Sequence, residues 1–130
     1  MPAYPLTTAA LMLALVVYVG AVMSVGRARG KYGVQAPATT GDPAFERVFR
    51  AQQNTVEQII LFLPLLALAA LRFGDLTAGI YGLVWSAGRI LYIITYARNA
   101  GSRAPGFLLS AGTSMLMLVA LIVMPLVRSL

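Results

Sequence analysis

Residues 45–64 read FERVFRAQQNTVEQIILFLP. The first half is dense in ionisable and amide side chains, the second half is apolar, and no turn signal divides them. One helix therefore carries both. At about 100° per residue, Glu46, Arg47, Arg50, Gln53, Asn54 and Glu57 fall within an arc of about 120°. A polar stripe running into an apolar span is costly unless it faces a bundle interior or a wet cavity. The stripe offers cations, an anion and amides, which suits a small zwitterionic ligand. The same residues would also serve as interhelical ion pairs and hydrogen bonds.

Outward from this stretch, the composition points to a membrane. The chain has 130 residues, 59% apolar and 11% charged, against about 25% charged in an ordinary soluble domain. One domain, residues 1–130, is expected. With no cysteine and no histidine, thiolate metal sites, a cysteine nucleophile and the commonest general base are excluded. The carboxylates are Asp42, Glu46, Glu57 and Asp75, a poor set for a metal centre, so no metal is expected. The net charge of +6 is spread over helix ends and loops and does not call for nucleic acid.

An all-α bundle of four spans follows, with helices at about 6–26, 43–71, 75–97 and 105–127. Leu6 to Val25 carries no charge and is long enough to cross a hydrocarbon core of about 30 Å. Its basic cluster, Arg27, Arg29 and Lys31, follows rather than precedes it, as in a retained span. Residues 26–40 read as a loop. Asp42-Pro43 is a helix start, Asp as N-cap and Pro in the first position. The second helix spans about 40 Å, more than a membrane needs. Gly74 suits its end, and Asp75 is positioned to cap the third helix. That helix carries Arg89 inside the span, with Trp85, Tyr92 and Tyr96 near the same face. Arg89 is a natural partner for Glu57 across helices, and the tyrosines fit an interfacial belt. The fourth helix has no charge.

Four spans bring both termini to one side and the two basic loops to the other. Arg27, Arg29, Lys31, Arg98 and Arg103 lie on the loop side; Arg72 and Arg128 lie opposite. The positive-inside rule assigns the loops, and the polar start of the second helix, to the cytoplasm.

The run Phe45-Glu46-Arg47-Val48-Phe49-Arg50-Ala51-Gln52-Gln53-Asn54, with Glu57 beyond it, resembles the second-helix signature of the MAPEG family. These are membrane-associated proteins in eicosanoid and glutathione metabolism. The run Arg89-Ile90-Leu91-Tyr92-Ile93-Ile94-Thr95-Tyr96-Ala97-Arg98, then Arg103, resembles the end of the family's third helix, and Thr39-Thr40-Gly41 also fits. The resemblance implies a homotrimer of four-helix subunits that binds glutathione as co-substrate in clefts between neighbours. Arg50, Asn54, Glu57, Tyr92, Tyr96 and Arg103 would come from one subunit, and Arg29 and Gln52 from the next. On a helical wheel Gln52 points away from the Arg50 stripe, as that division requires. Arg50 and Arg29 would hold carboxylates and Glu57 the amine. Arg103, then Arg29, would be the catalytic candidates that stabilise the thiolate. The implied activity is transfer of glutathione to a lipophilic electrophile arriving from the bilayer lipid, with hydroperoxide reduction as a second activity.

Two departures bear on the substrate. The leukotriene-synthase branch has Tyr after the second-helix Glu, where this chain has Gln58. It also has two consecutive arginines where this chain has Arg29-Gly30. Both fit a more general transferase branch. A non-catalytic lipid-presenting scaffold of the same fold, like five-lipoxygenase-activating protein, is one rival. A small four-span drug/proton exchanger is another, but it would need an acid in the first span, and Leu6 to Val25 has none.

Overall fold

The computed structural model describes residues 3–129. Four long helices form an up-down bundle: α1 Pro5–Tyr32, α2 Pro43–Phe73, α3 Asp75–Arg98 and α4 Ala104–Arg128. A single 3-10 turn, Ala100–Ser102, joins α3 to α4. All four are long and apolar enough to cross a membrane. Large apolar side chains remain exposed on every helix, among them Val16, Ile60, Leu83 and Leu116. A surface so apolar suits lipid, not water.

The first helix is longer than its expected end near residue 26. Gly26 and Gly30 each weaken a helix by about 1 kcal/mol relative to Ala, which does not stop one that already packs. The stop comes at Gly33, whose φ of +67° makes a left-handed cap, with its N–H bonded to the Arg29 carbonyl. Arg29 and Lys31 thus sit in the last turn of α1, not in a loop, where cations complement the helix dipole. At the start of α2, Asp42 caps as expected, its carboxylate accepting from Ala44 N at 2.7 Å. The helix continues through Pro64 to Phe73.

Asp75 does not cap α3, whose N-cap is Gly74. Its carboxylate reaches across to α1, accepting from Leu6 N at 3.0 Å, Thr7 N at 2.8 Å and the Thr7 hydroxyl at 2.8 Å. Those amides belong to the first turn of α1, which has no side-chain cap of its own. Asp75 therefore ties the starts of two parallel helices together.

The most deeply buried helix is α3, which packs against the other three. Its centre holds Trp85, stacked on Phe62 of α2 at 4.1 Å and 15°. Toward the other end, α3 and α4 come into backbone contact. A Cβ on Gly106 would run into the backbone N of Tyr92 and lie 2.8 Å from the Gly88 carbonyl oxygen. This approach brings α4 and Arg103 beside the tyrosines of α3.

Candidate functional site

The polar stripe of α2 faces the last turns of α3. A cavity of about 240 Å³ is lined by Arg50, Gln53, Asn54, Glu57, Tyr92 and Tyr96. A second, of about 460 Å³, shares Asn54 and Tyr92 with it and adds Arg103, Ala104, Phe107 and Leu108. The first is polar; the second runs onto α4. Six sequence-predicted residues thus meet at one place: Arg50, Asn54, Glu57, Tyr92, Tyr96 and Arg103.

The tyrosines are not an interfacial belt. Tyr92 is 4% and Tyr96 6% exposed, and their rings stack at 5.5 Å and 19°. Cations sit on both ends of this aromatic pair. The Arg89 guanidinium lies 4.2 Å from the Tyr92 centroid and that of Arg103 lies 5.5 Å from Tyr96. Phe107 tilts against Tyr92 at 6.3 Å. Cation–π contacts of this kind hold a guanidinium in place while leaving its N–H groups free to bind an anion.

Arg89 does not pair with Glu57. It is fully buried, and its Nη1 donates to Asn54 Oδ1 at 2.8 Å while Nε donates to Ser110 Oγ at 2.9 Å. Three helices are linked through one side chain. The bond fixes the Asn54 amide with its carbonyl inward, so its NH2 turns toward Glu57, where Nδ2 lies 3.5 Å from Oε2. Glu57 itself is exposed and lines the cavity, a carboxylate able to receive an ammonium.

Arg47 leaves the stripe to brace the helices, donating from Nε to the Ala97 carbonyl at 3.3 Å. Two predicted residues are not brought to the cavity within one chain. Arg29 donates from Nη1 to the Ala38 carbonyl at 2.7 Å and lies over the Phe45 ring at 5.1 Å, clamping the α1–α2 connection. Gln52 faces a separate groove between α1, α2 and α3. Sequence reasoning missed Ser110 and Phe107. The only available signal was the spacing of Gly106, Ser110 and Ser114, small residues one turn apart, all three of them buried.

A profile described as MAPEG family matches residues 5–123. The chain is 50% identical over 107 residues to an uncharacterized protein of Synechocystis sp., covering 82% of this chain and 78% of that one. It is 49% identical over 90 residues to human microsomal glutathione S-transferase 2, covering 69% and 61%. It is 41% identical over 100 residues to bovine leukotriene C4 synthase, covering 76% and 65%. The alignment thus spans less than two thirds of the length of the last two.

Proposed function

Because the chain belongs to the MAPEG family, we propose that it is an integral-membrane glutathione transferase, conjugating the glutathione thiolate to lipophilic electrophiles. The names of its relatives, a glutathione S-transferase and a leukotriene C4 synthase, support the class at family level. The observation that carries the reading is the cavity in which Arg50, Glu57 and the tyrosine pair converge beside Arg103. A guanidinium, a carboxylate and tyrosine hydroxyls are groups suited to a zwitterionic peptide such as glutathione.

In this mechanism Arg50 binds a carboxylate through its planar fork. Glu57 receives the γ-glutamyl ammonium. Tyr92 and Tyr96 wall the site and offer hydroxyls to the peptide. Arg103, held over Tyr96, stabilises the thiolate, since a nearby cation lowers a thiol's pKa. The sulfur attacks an electrophilic carbon; the C–S bond forms as the leaving group departs or an epoxide opens. Proximity and thiolate character supply the rate enhancement. In the second activity the thiolate attacks a hydroperoxide oxygen, the O–O bond breaks and an alcohol leaves, and the resulting glutathione sulfenic acid condenses with a second glutathione to give the disulfide and water. The site works in a homotrimer, where Arg29 and Gln52 of a neighbouring subunit close the cleft at its cytoplasmic mouth. The whole of residues 1–130 acts as one membrane domain.

The test is an ultraviolet difference spectrum of the purified protein with glutathione at neutral pH. Thiolate absorption is expected on binding, and Arg103→Ala is expected to abolish it while leaving glutathione bound. Arg50→Ala and Glu57→Gln are each expected to weaken binding roughly tenfold, as loss of a charge-assisted bond does. Binding without thiolate would point to the non-catalytic scaffold. Unchanged binding in both variants would refute the site.

A further inference from the structure

On the far side of α2 from the Arg50 cavity, a groove of about 380 Å³ opens between α1, α2 and α3. Its floor is apolar: Ala21, Ala28, Val48, Ala51, Ile93 and Ile94. Its rim carries Arg27, Lys31 and Arg98, and no Asp or Glu lines it. α1 and α3 run parallel, as the contacts of Leu6 with Gly79 and of Ala10 with Gly82 require. The three cations therefore lie at one end of the bundle, in the last turns of the two helices. Ala21 and Ile94 lie one or more turns deeper. Ile94, which lines the groove, is about half exposed. The floor is thus continuous with surface suited to lipid.

The charges select the occupant. Two helix C-termini at this rim contribute about half a negative charge each, and the start of α2 about half a positive one. Three side-chain cations outweigh them and leave the mouth positive. A phosphate is attracted there. A choline or ethanolamine headgroup would bring a cation with no acid to meet it. A free anion would leave the apolar floor unused.

We propose that this groove binds an acidic phospholipid of the surrounding leaflet, its phosphate held by Arg27, Lys31 and Arg98 and one acyl chain laid along the floor toward Ala21 and Ile94. Basic pockets between transmembrane helices at a membrane face are suited to such headgroups. The inference does not depend on the proposed transferase activity. Gln52 alone belongs both to the groove and to the residues proposed to reach a neighbour's glutathione.

The experiment is native mass spectrometry of the full chain in detergent, with equal amounts of dioleoyl-phosphatidylglycerol and dioleoyl-phosphatidylcholine. Retention of phosphatidylglycerol is expected to exceed that of phosphatidylcholine about tenfold, as a few surface cations allow. In R27Q/K31Q/R98Q the preference is expected to fall to near unity. Equal retention of both lipids by the unaltered protein, or a preference untouched by the triple variant, would overturn the proposal. Glycerol phosphate at the same concentration is expected not to displace the lipid; displacement would make the groove a free-phosphate site and overturn it as well. On the unaltered protein, a photoactivatable phosphatidylglycerol headgroup is expected to cross-link to residues 21–32 or 93–98. Cross-links confined to the opposite face, near Arg72 and Arg128, would also sink it. Glutathione binding by the triple variant serves as the independent check, because none of its three positions belongs to the proposed transferase site.

Discussion

Arg89 organises the candidate site without lining either of its cavities. A fully buried guanidinium is tolerable only when its donors are met. Asn54 and Ser110 meet two of them, and Nη2 has no hydrogen-bond partner among the described residues. Ser110→Ala leaves Nε unpartnered and is expected to destabilise the protein by about 1–3 kcal/mol. Ser86 is a natural contrast. It is also fully buried on α3, yet its hydroxyl has no partner among the described residues, so Ser86→Ala is expected to be neutral or stabilising. Thermal unfolding of the two variants in one detergent checks both. Equal losses would mean that the Arg89–Ser110 bond contributes nothing specific. Arg89 was legible in the sequence as a buried cation. Its partner was not, because Asn54 and Glu57 lie one turn apart on α2 and the rotation between helices decides which of them it meets.

At the level of elements, the site depends on how closely α4 approaches α3. Gly106 and Gly88 let the backbones touch, and Tyr92 sits at that contact. Gly106→Ala drives a methyl into the Tyr92 backbone, which no side-chain rotation relieves. The helices must part, moving Arg103 away from Tyr96. The expected result is a lower melting temperature together with weaker glutathione binding. Gly112 lies on the same helix with nothing within 4 Å of its Cβ position. Gly112→Ala is therefore expected to be neutral or to stabilise by up to about 1 kcal/mol through helix propensity. Melting curves and equilibrium dialysis with glutathione separate the two substitutions. The helix ends were mostly legible: Asp42-Pro43 for α2 and Gly74 for its end. The α1 stop was not, because three glycines, Gly26, Gly30 and Gly33, offered the same signal, and only Gly33 takes the left-handed conformation.

For the molecule as a whole, two features test the assembly of the bundle. Asp75 joins the first turns of α1 and α3 at the end opposite the candidate site. Asp75→Ala is expected to speed amide exchange at Leu6 and Thr7 while sparing glutathione binding; unchanged exchange would mean that water caps those amides equally well. The charge bias predicts the orientation, since Arg27, Arg29, Lys31, Arg98 and Arg103 lie toward the end of the bundle that carries the α1–α2 and α3–α4 connections and only Arg72 and Arg128 lie opposite. A reporter active only outside the cytoplasm is expected to work when fused to the C-terminus; activity of a cytoplasm-only reporter there would reverse the orientation. The sequence by itself determined the four spans, because hydropathy and length are properties of each segment alone. It also determined the stripe of Arg50, Asn54 and Glu57, because helical periodicity puts these residues on one face whatever the neighbours do. Tertiary structure decided which groups that stripe meets. It turned Arg89 to Asn54, sent Asp75 across to α1, engaged the Arg29 side chain with the α1–α2 connection and gathered Tyr92, Tyr96 and Arg103 around two adjoining cavities. Each of these depends on the rotation and separation of helices distant in sequence, which the small residues at their crossings set and no single helix encodes.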